Sequence, residues 1–377
     1  MSVPLSILDL APIVSGSDPR RALRETVELA RRAEESGYHR YWLAEHHFTP
    51  GVASSAPQVL IALVAAATER IRVGSGAVQT GHVTAPVLVE QFGTIDALHP
   101  GRVDLGLGRS GHRKSQFAEL AAGVSKPEAR TEARTVDGLL IPPPADFSRI
   151  AGSPTLRLYT ALLQQQGAEA PEFAELVDEI TALIEGTFKL SDGTEAHIVP
   201  GEDAELQLWI LGSSGGESAR VAGERGLPFA ANYHVAPSAV LEAVEAYREA
   251  FKPSAALPAP HVMVSADVVV APDDETARRI ASPYALWVLS VRDGRGAIPF
   301  PTEEDAAAHV WTDEDRALVA DRVDTQFVGS PQTVADRLRT LQRVTGADEL
   351  LVTTIVHDHT DRLRSFELLA EEWNTPQ

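Results

Sequence analysis

Eight short apolar runs, separated by helix-length stretches, constrain this chain more than any other feature of its sequence. They fall at 5–8, 40–43, 71–73, 103–107, 206–211, 229–231, 262–270 and 350–355. Strands of that length spaced by helices build parallel βαβ units, and eight is the number that closes a barrel. The predicted class is therefore α/β, a (β/α)8 TIM barrel. The helical stretches carry their own boundaries. Asp18-Pro19 supplies a cap and a proline at the first helical position, Leu23, Val27 and Ala30 recur at helical spacing, and Gly37 ends the run. Ser330-Pro331 repeats the device, with Val334, Leu338 and Leu341 on one face and Gly346 at the end. Leu88, Phe92 and Ile95 mark a third amphipathic helix.

Two stretches interrupt the alternation. Residues 112–205 hold one plausible strand position and residues 281–325 hold none. The expected organisation is a single domain over 1–377, with a long insertion after strand four and a helical one after strand seven. Loops of this length in a barrel sit over the catalytic end as lids or substrate walls. The segment "APQVLIALVAAAT" (56–68) is apolar all round, where an outer barrel helix should show a wet face. It points to burial against a second copy, and so to a homodimer.

Composition excludes several partners. A formal charge of -20 opposes nucleic-acid binding, which needs clustered Lys and Arg. There is no cysteine, hence no disulfide, thiolate metal site or cysteine nucleophile. No apolar run approaches membrane-spanning length, and the N-terminal residues lack a signal-peptide pattern, so the expectation is a cytoplasmic protein with no membrane partner.

"VDLGLGRSG" (103–111) contains G-x-G-x-x-G. A dinucleotide fingerprint needs an acidic residue about 20 positions on, at the end of a second strand. The next strand-like stretch brings only Asp146, much further along, and the run follows the fourth strand rather than opening a domain. The Rossmann reading fails on context. Arg109, just past a strand end on the catalytic face, is either a bidentate phosphate ligand or a structural ion pair. A second glycine-rich strand end, Gly212-Ser213-Ser214-Gly215-Gly216, runs into a helix near Glu217 and makes a further anion-site candidate. An ordinary Ser/Gly turn is the competing reading.

"AEHHF" places Glu45, His46 and His47 directly after strand two, again on the catalytic rim. A histidine there serves as base, hydrogen-bond donor or metal ligand. Adjacent histidines diverge, so His47 is read as a packed residue satisfied by a backbone carbonyl. His357, Asp358 and His359 follow strand eight and with Glu45 and His46 would make a hydrolase-type metal centre. The first strand lacks the H-x-H such barrels carry, so no metal is expected, and His359 is read as a cap of the last helix.

"GYHRYWLAEHHF", "RIRVGSGAV", "HPGRVDLGLGRSG" and "GERGLPFA" together resemble the bacterial luciferase-like flavin monooxygenases, in order along nearly the whole chain. The resemblance implies a TIM barrel that binds reduced FMN and uses O2 to oxidise a small organic substrate through a flavin C4a-peroxide. It implies that His46 is the catalytic histidine and that Glu45 supports it. Arg109, Ser214, Gly215 and Ser218 would hold the flavin phosphate, and Gly76-Ala77 would form a non-prolyl cis peptide under the isoalloxazine. A separate NAD(P)H:flavin reductase is the implied source of reduced flavin. Deazaflavin-dependent dehydrogenases on the same barrel, and flavin-binding members without catalysis, are the alternative readings. Two departures stand out. Gly108 occupies the position of luciferase's reactive cysteine. "QTGHVTAP" replaces the usual Leu-Pro-Asn-His pattern, so that Gln79 and His82 line an altered wall.

Overall fold

The structure, a computed structural model, describes residues 2–109, 132–145, 148–151, 153–163 and 171–375. Its core is a closed ring of eight parallel strands: β1 (Leu5–Asp9), β2 (Arg40–Leu43), β3 (Arg72–Ser75), β4 (Val103–Gly108), β5 (Gln207–Gly212), β6 (Phe229–Asn232), β7 (Val262–Val270) and β8 (Glu349–Thr353). Neighbours in the chain are neighbours in the ring. The pairing of Phe229 with Val262 joins β6 to β7, and that of Leu5 with Leu350 joins β1 to β8. All eight expected strands are present, each within two residues of its expected ends.

Eight outer helices cover the ring: α1 (Pro19–Glu35), α2 (Pro57–Ala67), α3 (Ala85–Leu98), α4 (Phe173–Ile184), α5 (Glu217–Glu224), α6 (Val240–Ala250), α7 (Pro331–Thr345) and α8 (His359–Trp373). Their ends follow local chemistry. The Asp18 carboxylate accepts from the Arg21 N–H at 2.9 Å to start α1, and Ser330 caps α7 in the same way. Gly346 closes α7 at φ +62°, the left-handed conformation glycine adopts without penalty. The buried face of α1 is Ala22, Thr26, Leu29, Ala30 and Ala33, with Leu23 and Val27 only partly covered at its edge. The expected apolar stripe is thus rotated by about one residue. Helix α2 has no wet face: Leu60, Ile61 and Val64 pack inward while Val59 and Leu63 remain 61% and 53% exposed.

Gly106 and Gly108 of the 103–111 run serve close strand packing. A Cβ on Gly106 would lie 2.1 Å from the Ser75 carbonyl oxygen, and one on Gly74 would lie 2.4 Å from that of Asp104. Gly106 is therefore a strand residue required by close approach of β3 and β4, not part of a phosphate turn. Ser110, Gly111 and Asp146 lie outside the described residues.

The insertions are richer than expected. Within 112–205, strands Arg134–Val136 and Leu139–Ile141 form an antiparallel hairpin turned at Asp137-Gly138, both at positive φ. Three-residue strands are too short to show alternation, yet Asp-Gly is a known hairpin signal. Helices Ser148–Ala151 and Pro154–Leu162 follow. After β7 come helices Asp274–Ala281, Tyr284–Arg292, Glu303–Ala308 and Asp313–Val323, and then a strand, Phe327–Gly329, laid against the C-terminal part of β7. No strand is seen within 281–325, as expected.

The N-terminal end of the barrel is closed by a buried ion network. Arg40, at the start of β2, bonds Asp104 at 2.8 Å and Glu349 at 3.0 Å. Arg72 reaches the other oxygen of Asp104 at 2.6 Å, and the Trp42 indole donates to Asp104 at 2.9 Å. No described helix is long and apolar enough to cross a membrane.

Candidate functional site

A cavity of about 560 Å³ opens at the C-terminal ends of the strands, the end where barrels of this class place their chemistry. Leu8 and Leu10 of the first strand and its extension, Trp287 and Ile355 give it apolar walls. The Pro154–Leu162 helix contributes Thr155, Leu156 and Tyr159, so the first insertion does supply a wall, as expected.

His46 and Gly76 both line this cavity. The Gly76–Ala77 peptide is cis, and the chain beyond it, Val78–Gln79, pairs with the end of β4. The His46 backbone N–H donates to the Ser54 carbonyl at 2.9 Å, which fixes the loop and leaves the ring facing the cavity. Although the ring meets the open space, it lies deep in the barrel mouth. Loss of bulk water pushes its pKa down to about 4, against a smaller upward pull from Glu45. At neutral pH this imidazole is uncharged and able to accept a proton.

Glu45 is buried. Burial raises its carboxyl pKa, but donors from His47, His82 and the Gln79 backbone outweigh that and hold it below the usual range. The ionised group accepts only, so both imidazoles present Nε2–H to the same oxygen, Oε1: His47 at 2.8 Å and His82 at 2.9 Å. The second oxygen accepts the Gln79 N–H at 2.8 Å, and the Gln79 side-chain amide donates to the Glu45 carbonyl at 2.5 Å. Tyr159 donates its hydroxyl to Gln79 Oε1, linking the insertion helix to this group. His47 is therefore held by a carboxylate and not by a backbone carbonyl as the sequence suggested. The reason is tertiary: β2 and the segment after β3 lie side by side, which brings His82 and Gln79 onto Glu45.

The candidate phosphate residues lie together but away from the cavity lining. Arg109, at the end of β4, forms an ion pair with Glu217 in the first turn of α5. Ser214 and Gly215 precede that helix, and Ser218 is buried within it. The N-cap of α5 is Gly216 and makes no side-chain cap hydrogen bond, so the first-turn N–H groups keep no side-chain cap acceptor.

The metal grouping weighed from sequence does not form. His357 Nε2 donates to the Ser15 carbonyl at 3.0 Å. Asp358, not His359, caps α8, while His359 meets Glu28 at 3.3 Å. Neither histidine joins Glu45 or His46, because the β8 loop turns outward over α1.

Three wall residues escaped the sequence reading. His234 bonds Ser265 Oγ at 2.5 Å, and burial, helped by Arg322 and His46, pushes its pKa down to about 4 despite Asp267. Asp267 and Arg322 pair at 3.0 Å, and Tyr284 donates to the same carboxylate. His234 follows β6 directly, so the strand-end rule applied to "ANYH" would have found it. Arg322 comes from the second insertion, and nothing local marks it.

The luciferase-like monooxygenase family matches residues 4–137 and 154–349 of this chain. The uncharacterized protein YvbT of Bacillus subtilis (strain 168) is 36% identical over 370 residues, which is 98% of this chain and 96% of that protein. A luciferase-like monooxygenase of Escherichia coli (strain K12) is 34% identical over 368 residues, 97% and 96% of the two chains. The crystal structure of apo-MsnO8 superposes with a TM-score of 0.78 at 31% identity and covers 100% of both chains. Two more distant structures share the fold. One is the oxygenating constituent of 3,6-diketocamphane monooxygenase from Pseudomonas putida in complex with FMN, TM-score 0.63 at 19% identity over 98% of both chains. The other is an F420-dependent secondary alcohol dehydrogenase in complex with an F420-acetone adduct, TM-score 0.60 at 15% identity over 100% of both.

Proposed function

This chain belongs to the luciferase-like monooxygenase family, and from that premise we propose that it is a flavin-dependent monooxygenase using reduced FMN and O2 on a small organic substrate. The observation that carries the reading is one apolar cavity at the catalytic end whose wall holds an uncharged histidine, His46, beside the Gly76–Ala77 segment. The cavity volume falls within the range of small-molecule sites.

The donor set suits a flavin phosphate. Arg109 supplies a guanidinium, Ser214 and Ser218 supply hydroxyls, and the first turn of α5 supplies N–H groups with no side-chain cap. Glu217 now holds Arg109, and a phosphate would exchange with that carboxylate as the arginine's partner. Bound reduced flavin supplies the reaction with O2. The chain's own part is to hold the ring against Gly76 and Ala77, to keep water out with Leu8, Leu10 and Trp287, and to accept a proton on the His46 imidazole. Glu45 positions the His46 loop through its bonds to Gln79. A separate NAD(P)H:flavin reductase would deliver the reduced cofactor, since the described strands form one barrel and no doubly wound dinucleotide domain.

The F420-dependent neighbour keeps a deazaflavin-dependent dehydrogenase as the second reading, and one experiment separates the two. Anaerobic loading with reduced FMN, followed by 18O2 in the presence of a panel of small organic substrates, is expected to give 18O-labelled product from the wild type, whereas spontaneous oxidation of the flavin gives only H2O2. In His46→Ala, labelled product should fall by about 10²–10⁴-fold, the usual contribution of a positioned acid–base group, with FMN affinity retained. Full activity in that variant would overturn the role of His46. Tight deazaflavin binding without oxygen uptake would move the chain to the dehydrogenases, and flavin binding without any turnover would make it a binding protein.

A homodimer through α2 is part of the same reading, because Val59 and Leu63 expose an apolar face that a second copy would cover. Leu63→Glu should halve the mass seen by sedimentation. An unchanged mass would remove α2 from the interface.

A further inference from the structure

Glu45, His47 and His82 present a carboxylate oxygen and two imidazole Nε2 atoms that all lie within 4.8 Å of one another. We propose that these three side chains form a binding site for a divalent transition cation of the Zn²⁺ or Co²⁺ type. The proposal rests on side-chain geometry alone and is independent of the flavin reading.

Three observations support it. The first is convergence. Both Nε2 atoms lie against one carboxylate oxygen, at 2.8 and 2.9 Å, whereas donors around a tetrahedral cation stand about 3.3–3.6 Å apart, so each imidazole would back away from Oε1 by roughly half an ångström to admit the ion. Metal bonds of about 2.0–2.2 Å to N and O require only a fractional shift of each group. On binding, each imidazole would give up its Nε2 proton, carry one at Nδ1, and offer the Nε2 lone pair to the cation.

The second is charge. Glu45 is buried, and among the described residues its ion-pair partners are these two histidines, with no Lys or Arg. A buried carboxylate with no guanidinium or ammonium beside it is a favourable ligand for a cation held jointly with the two imidazoles. Among the other buried carboxylates, Asp104, Glu349, Asp9 and Asp267 each face a guanidinium at 2.6–3.0 Å, while Asp96, outside the cavity wall, accepts from the Gly101 and Glu205 backbone N–H groups.

The third is the surrounding support. The other Glu45 oxygen is fixed by the Gln79 N–H, and Gln79 is itself held by Tyr159 and by the Glu45 carbonyl. Partners of that kind orient a metal's ligands and sustain affinity. His47 and His82 also line the cavity, so coordination positions beyond the three protein ligands face the substrate space. Three protein ligands with open positions is the arrangement of a reactive site and not of a closed structural one.

The test uses the full chain, stripped with chelator and free of flavin. Co²⁺ is titrated by visible absorption and Zn²⁺ by calorimetry. The expected result is one equivalent bound with a tetrahedral or five-coordinate Co²⁺ spectrum. Affinity should fall by about 10–100-fold or more in His82→Ala and in His47→Gln, since loss of a ligand exceeds loss of a supporting partner. His197→Ala serves as the control, because His197 lies exposed among Glu195 and Glu202 and offers a surface alternative. No stoichiometric binding by the wild type would overturn the site. So would binding that survives in both His82→Ala and His47→Gln, or that disappears in His197→Ala. If His82→Ala fails to fold by circular dichroism, His82→Gln gives the same reading with a side chain that still hydrogen-bonds Glu45.

Discussion

Two buried polar clusters sit at opposite ends of the same barrel, and their chemistry is opposite. At the N-terminal end, Asp104 and Glu349 share the guanidinium of Arg40, and Arg72 adds a second cation. Every charge there has a partner, and no described cavity reaches it. At the C-terminal end, Glu45 is ionised with two imidazoles and a backbone N–H but no guanidinium, and its histidines look into open space. The first arrangement can only hold strands together. The second holds a carboxylate by hydrogen bonds from histidines that line a cavity, which is useful for binding or proton handling. Stability and function are thus divided between the two ends of one set of strands, as the barrel architecture allows.

The comparison can be broken by mutation. Arg40→Met should have the largest effect on stability, about 3–5 kcal/mol, because it leaves buried Glu349 without a guanidinium and Asp104 with Arg72 alone. Denaturant unfolding would measure it. Glu45→Gln should cost less, about 1–3 kcal/mol, because its amide NH2 must face either the Gln79 N–H or the two imidazoles and leaves a donor unpaired. Equal destabilisation by the two variants would make the upper cluster as structural as the lower one.

A smaller effect follows from the two depressed histidines. Native His46 and His234 take a proton only near pH 4, whereas an unperturbed histidine does so near 6.5. Between those values the unfolded chain binds more protons, so stability rises with pH and is lost as pH falls from 6.5 toward 4. The urea midpoint should drop from pH 7 to pH 5, and His234→Asn should drop less than the wild type. An identical slope in the variant would show that His234 does not contribute.

Much of the site was legible because barrel strands deliver their C-terminal neighbours to one face. Glu45 and His46 follow β2, Arg109 follows β4 and Ser214 follows β5, so strand-end position alone nominated them. His234 was equally reachable by that rule and was overlooked. Tyr159 and Arg322 were not reachable, because they come from insertions whose docking has no local signature. The GxGxxG run shows the converse. Its spacing matches a dinucleotide fingerprint that its context in the chain rules out, and Gly106 is there because the Ser75 carbonyl occupies the space a Cβ would need.

The order of short apolar runs and capped helices determined by itself that this chain closes into an eight-stranded barrel, because period, caps and glycine stops act within a few residues. It also determined which residues reach the catalytic rim. Only the tertiary structure decided who their partners are. His47 and His82 are 35 positions apart and meet on one oxygen of Glu45 because β2 and β3 pair in register, and Arg109 meets Glu217 because β4 and β5 are neighbours. Periodicity reports which face a residue takes. Charge compensation depends on what lies across a strand pair, and that is a property of the closed ring.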